Sequence, residues 1–182
     1  MQSDGARQAL LQAMSRVDAI ALVHETLSQT MDSTVDMDDL LNRQFTMAVD
    51  IAAESRPVTT TIEGRFGALP GQLATPLALV VNELATNAVE HGTAVSGGNV
   101  QLVVKRLQHP GQAYPYLKVV VIDEGTMNTP DAMDSIGNGL GTQIIRTLVE
   151  SDLRGTITWQ RQRPSLSGAA GTRAEVLIPL DH

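Results

Sequence analysis

The chain has 182 residues, 42% of them hydrophobic, a net charge of −7 and no cysteine. This is a globular composition sized for one domain or a domain with a helical extension. The acidic balance, without any Lys/Arg-rich run, argues against a nucleic-acid surface, and 3% aromatic residues leave few platforms for stacked bases. The lack of cysteine excludes disulfides and thiolate metal sites, no apolar run reaches the ~20 residues of a membrane span, and residues 1–15 lack the layout of a signal peptide, so a cytoplasmic protein with no membrane segment is expected.

Residues 6–31 read as one long helix. Leu10, Met14, Val17, Ala21, His24 and Met31 keep a spacing of three to four, and Ile20, Val23 and Leu27 widen the apolar stripe. DSTVDMDD breaks it, and Asp36 is placed to cap a second helix over about 37–54. PVTTTIEG, rich in β-branched residues, predicts a strand from Pro57. A third helix begins between Gln72 and Pro76, runs to His91 and ends at Gly92. Strands follow at about Val100–Leu107 and Tyr116–Ile122, then a stretch without clear period, a helix from near Gly141 to about Ser151, and two last strands at Thr156–Arg161 and Thr172–Pro179. Hairpin-linked strands mixed with helices imply an α+β fold, a sheet layered on helices and preceded by a long N-terminal helix.

The third helix carries an unusual polar set. Leu77, Val80, Val81, Leu84, Ala85, Ala88 and Val89 form a wide core face. At ~100° per residue, Glu83, Asn87, Glu90 and His91 fall on one neighbouring arc, with side chains four apart separated by about 5–6 Å between Cβ atoms. The arc is either a polar face turned to water or a set aimed at a common ligand. In the second case an amide oxygen and water complete a Mg²⁺ shell whose other ligands are phosphate oxygens, and a neighbouring carboxylate serves as general base.

Two glycine motifs bear on that choice. Asp123-Glu124-Gly125 follows the apolar run LKVVVI. It is an ordinary turn, or a carboxylate that accepts from an exocyclic amine beside a glycine that lets a flat ring approach the backbone. Gly137-Asn138-Gly139-Leu140-Gly141-Thr142 enters a helix. It is a flexible hinge, or a set of exposed N–H groups at a helix N-terminus suited to phosphate. There is no Gly-Lys-Ser/Thr of a Walker A loop, and the glycine run follows a long loop instead of a strand, so a dinucleotide fingerprint fits poorly. Thr126–Asn138, between the motifs, has the length of a functional lid.

Together these stretches resemble the GHKL (Bergerat-fold) ATP-binding superfamily: ELATNAVEHG its N box, DEG its G1 box, GNGLGTQIIRTLV its G2 box, and Gly171-Thr172 its G3 box. SRVDAIALVHETLSQT resembles the second helix of the dimerisation hairpin in soluble sensor histidine kinases of the HWE-related and PdtaS-like group. The resemblance implies a Bergerat two-layer α/β sandwich over residues 35–182, after a partial dimerisation and phosphotransfer helix at 1–34. It implies ATP and Mg²⁺ as ligands, with Asn87 on the metal, Glu83 as general base or in the metal's hydration, and Asp123 on the adenine amine with Thr172 near the ring. Gly125 and Gly141 would shape the pocket. Gly137 belongs to the glycine run of the lid's end; Gly139, Leu140, Gly141 and Thr142 would meet phosphates; and His91 would add a phosphate contact in place of the basic residue that many kinases have where Glu90 stands. It further implies a histidine kinase that relays phosphate to a response-regulator receiver domain, and a homodimer built through the N-terminal helix. The acceptor context His-x-x-Lys-Asn is missing, so the acceptor helix is expected to be absent and the chain alone not competent for autophosphorylation. His24-Glu25 matches the second helix better than an acceptor. An anti-sigma-factor serine kinase of the same fold has a similar N box, but such proteins generally lack a hairpin before the domain.

Overall fold

The computed structural model describes residues 2–28, 34–93, 97–108, 110–124, 139–162 and 171–180. The helices are α1 (Gln2–Ser28), α2 (Asp38–Ala53), α3 (Ala74–Asn87) and α4 (Leu140–Thr147). The strands are β1 (Thr34–Asp36), β2 (Val58–Gly64), β3 (Ala68–Pro70), β4 (Gly98–Leu107), β5 (Tyr116–Asp123), β6 (Thr156–Arg161) and β7 (Thr172–Pro179). Five strands form a mixed sheet in the order β2-β4-β5-β7-β6, parallel between β2 and β4 and antiparallel elsewhere. A sheet packed on helices, behind a long N-terminal helix, is the α+β arrangement expected.

The period of two decides what the sheet buries. On β7 Thr172, Ala174, Val176 and Ile178 point inward, and on β5 Leu117, Val119, Val121 and Asp123 do. Registers Leu117↔Ile178, Val119↔Val176 and Val121↔Ala174 stack these rows side by side. On the helical layer Leu77, Val81, Leu84 and Ala85 of α3 and Leu41, Phe45 and Val49 of α2 close the same core. Asp123 is thus the last member of an apolar row, carried into the interior by strand alternation.

Several local expectations change. Helix α2 starts one residue later than 37, with Met37 at the N-cap and no side-chain cap. Asp36 still accepts the Asp38 N–H at 3.0 Å, a short-range turn in place of a cap. The short pair β1–β3 was not anticipated, because three-residue strands carry too little pattern to read. Helix α3 does not continue as an α-helix to His91: after Asn87 it widens into a π-helical turn, Ala88–Gly92. Arg56 Nη1 donates to the Val89 carbonyl at 3.3 Å and Thr93 Oγ1 donates to it at 2.8 Å, so that carbonyl is satisfied in the widened turn. A second π-helical turn, Leu148–Asp152, follows α4.

Helix α1 docks on the domain along one face only. The face it buries carries Ser15, Ala19 and Val23, which pack towards α2 and α3. Leu10, Met14, Val17 and Ile20 stay exposed, at 61%, 53%, 64% and 47%. His24 is exposed as well. Of the stripe that the spacing picks out, Val23 docks on the domain and Leu27 packs against its core, whereas Leu10, Met14, Val17 and Ile20 do not.

Candidate functional site

The inward row of β5 ends in a cleft between the sheet and α3. Asn87 and His91, from α3 and its π-helical turn, line it together with Asp123, Thr172 and Trp159; Leu84, Ala88, Val121 and Ala174 supply apolar walls. A pocket that is mostly apolar with a few convergent polar groups is the usual form of a small-molecule site. Four of the residues singled out by sequence, Asn87, His91, Asp123 and Thr172, therefore share one cavity.

The Asp123 carboxylate is held tightly. Its Oδ1 accepts the Thr172 N–H at 3.1 Å. A Cβ added to Gly92 would overlap the carboxylate, and one added to Gly171 would overlap the Asp123 carbonyl oxygen and lie 3.0 Å from Oδ1. Gly92 thus does more than end a helix: only a residue without a side chain lets α3 come this close to β5. Asn87 shows the opposite condition. Its Nδ2 is buried and has no hydrogen-bond partner among the described residues. An unpaired buried donor costs about 1–3 kcal/mol, which a bound ligand or water relieves.

Gly141 sits in the first turn of α4, where an added Cβ would come 2.7 Å from Glu83 Oε2 and 3.4 Å from Asn87 Oδ1. Glu83, Asn87 and the start of α4 consequently meet at one end of the cleft. Thr142 is buried there, whereas Gly139 and Leu140 are exposed. Gly125, Gly137, His109, His182 and the expected lid Thr126–Asn138 lie outside the described residues.

Glu83 and Glu90 also bond to α1. Arg16 Nε and Nη2 donate to the two Glu83 carboxylate oxygens at 2.7 and 2.9 Å, and Gln12 Nε2 donates to both oxygens of Glu90 at 3.0 and 2.9 Å. The polar arc of α3 is therefore shared between the cleft and α1. The bond to Glu83 raises the Arg16 pKa above its ordinary value against the opposing effect of burial, so the guanidinium stays charged. Sequence reasoning missed Arg16 because attention to the apolar stripe hid Gln12, Ser15 and Arg16, a polar set at i, i+3 and i+4 on another face. It also missed Trp159, whose ring forms part of the cleft wall and lies 4.9 Å from the Arg146 guanidinium carbon.

This sheet, with a cleft at the end of its central strands under a widened helix, defines the ATPase class that the motifs resemble. Residues 72–182 match the family described as histidine kinase-, DNA gyrase B-, and HSP90-like ATPase, and residues 1–51 match a histidine kinase family. The chain belongs to the histidine kinase-, DNA gyrase B- and HSP90-like ATPase family. The sensor histidine kinase PdtaS of Mycobacterium tuberculosis is 35% identical over 154 residues, which is 83% of this chain and 29% of that protein. A blue-light-activated histidine kinase of Rhizobium johnstonii is 30% identical over 78% of this chain and 37% of its own length. The chain thus spans about a third of these curated relatives. Among solved structures, the histidine kinase domain of the Erythrobacter litoralis EL346 blue-light activated kinase superposes with a TM-score of 0.73 at 23% identity, covering 93% of this chain and 75% of that one. The match over residues 1–51 includes α1, the element that separates a histidine kinase from an anti-sigma-factor kinase, so the latter reading is not favoured. No helix among the described residues is long and apolar enough to cross a membrane.

Proposed function

We propose that this chain is the ATP-binding catalytic part of a two-component sensor histidine kinase. The observation that carries the reading is that Asn87 and Asp123, 36 positions apart in sequence, line one cleft whose deep end is a buried carboxylate. Asp123 accepts the exocyclic amine of adenine, with Thr172 beside the ring and Gly125 and Gly141 shaping the pocket. Backbone N–H groups of Gly139, Leu140, Gly141 and Thr142, at the start of α4, face the phosphates, where the end of a helix favours negative charge. Gly137 belongs to the same glycine run, and His91 adds a donor to phosphate.

Among the described residues no group of three or more His, Asp or Glu is placed to hold a metal ion. Asn87 Oδ1, beside Gly141, is the atom that suits a metal site completed by ligand oxygens and water, while the buried Nδ2 suits a hydrogen bond to a phosphate oxygen. Mg²⁺, when bound there, supplies neutralisation of phosphate charge. Glu83 then orients the nucleophile or holds water in the metal's shell. None of the four histidines stands in a His-x-x-Lys-Asn context; our reading places the acceptor on a histidine other than these, with His24 the one alternative, and transfer proceeds from it to the aspartate of a receiver domain. Residues 1–34 form part of a dimerisation element and 35–182 the catalytic domain. The exposed Leu10, Met14, Val17 and Ile20 supply the self-association surface.

Trp159 is the chain's one tryptophan and lines the cleft. Adding Mg·ATP to the protein should change its fluorescence saturably, with ADP competing. A signal unmoved by either nucleotide would refute the assignment.

A further inference from the structure

The contact between α1 and α3 is polar at its centre. Arg16 and Glu83 form a two-pronged pair, with side chains only 20% and 4% exposed. Ser15 Oγ donates to Asn82 Oδ1 at 2.7 Å, and Gln44 Nε2 of α2 donates to the same oxygen at 2.8 Å. Asn82 Nδ2 in turn reaches Glu83 Oε1 at 3.4 Å. A network this buried fixes the carboxylate in one orientation, since a planar guanidinium matches a carboxylate only in a narrow range of geometries.

The location of that carboxylate gives the pair its consequence. Glu83 Oε2 lies against Gly141 beside Asn87 Oδ1, at the end of the cleft assigned to phosphates. A lone buried carboxylate there would repel a polyphosphate, and little water is present to screen it. A guanidinium bonded to both of its oxygens cancels the charge.

Resting on the nucleotide reading above, we propose that Arg16 is a positioning and charge-balancing residue of the nucleotide site, which holds Glu83 in place and sets how many phosphate charges the site accepts. The site is then complete only with α1 docked on α3, although Arg16 lies in the segment that resembles a dimerisation element. Selectivity between nucleoside tri- and diphosphate is thereby tied to the position of α1.

The test is titration of the whole chain with ATP, ADP and adenosine in metal-free buffer, so that any link between Glu83 and Mg²⁺ does not enter. Arg16→Gln should weaken ATP about tenfold and ADP about threefold, leaving adenosine unchanged, as expected for one uncompensated charge near the phosphates. Arg16→Lys, which keeps the charge, and the double variant Arg16→Gln/Glu83→Gln, which removes both, should return the ATP-to-ADP ratio to the wild-type value. Glu83→Gln alone should move the ratio the other way, in favour of ATP, and this carries the test if Arg16→Gln does not fold. Equal losses for all three ligands would reduce Arg16 to a packing residue, and an unchanged ratio in both single neutral variants would remove the proposal while leaving the nucleotide site standing. A wild-type chain that binds none of the three, and still none when Mg²⁺ is restored, would instead bring down the nucleotide reading itself, and this inference with it.

Discussion

The two polar faces of α3 make an instructive contrast. Towards α1 and α2, Asn82, Glu83 and Glu90 bond to Ser15, Arg16 and Gln12 of α1 and Gln44 of α2 at 2.7–3.0 Å. Towards the sheet, Asn87 keeps a buried donor with no partner among the described residues, and Asp123 is held rigid at the wall of a cleft. The first face holds the molecule together through these bonds, with Gln44 Oε1 the one buried side-chain atom in it lacking a partner among the described residues. The second retains a donor without a partner among the described residues, which a ligand or water can satisfy. Residues adjacent on one helix therefore serve different ends, and what separates them is whether another element of the chain covers them.

Substitutions at the cleft should break that contrast most. Asp123→Asn keeps an acceptor for the Thr172 N–H, so the fold should survive, but adenine loses a charged acceptor. Affinity for ATP should fall about 10- to 100-fold, the size of a charge-assisted hydrogen bond, as read by titration. Gly92→Ala forces a methyl against the Asp123 carboxylate. It should cost about 1–3 kcal/mol in denaturant unfolding and weaken nucleotide binding as the carboxylate is displaced. Asn87→Ala should do the reverse of an ordinary core change: removing an unpaired buried donor should alter stability by less than about 1 kcal/mol, while the dependence of ATP affinity on Mg²⁺ disappears.

On the α1 side, the effects should concern assembly. Val17→Glu adds charge to the exposed stripe and should shift the chain towards monomer in light scattering at fixed concentration, with ATP affinity unchanged. The smallest effect lies on the solvent face of the sheet. Burial tends to raise the Glu175 pKa, but hydrogen bonds and charge from Lys118 and Arg173 outweigh it and the net shift is downward. Such a group adds stability above its unfolded pKa near 4.5 and loses it as pH falls through the lower, folded value. Glu175→Gln should flatten the acid limb of the stability curve, by under about 1 kcal/mol for a partly exposed pair.

Much of this was legible from residue spacing. The apolar face of α3 located the core, Asp123 was legible as a carboxylate at the end of an apolar strand, and Thr172 only through the motif it shares with the family. Asn87 was legible because an amide in a helix interior has no local reason to be there. The α1–α3 contact was not legible. Gln12, Ser15 and Arg16 share a helical spacing, but nothing in that spacing names their partners on α3, and the apolar stripe on α1 drew the reading towards the other face. The widened turn after Asn87 was also hidden, since its Val89 carbonyl is satisfied by the side chains of Arg56, just past the end of α2, and Thr93.

The central claim is an adenine nucleotide in the cleft between α3 and the sheet, its base held by Asp123. Calorimetric titration with Mg·ATP and Mg·GTP tests it most directly, because guanine presents a carbonyl where adenine presents an amine, and a carboxylate repels that oxygen. The account predicts saturable ATP binding, with GTP at least about tenfold weaker. Equal affinity for the two, or no binding of either, would contradict it.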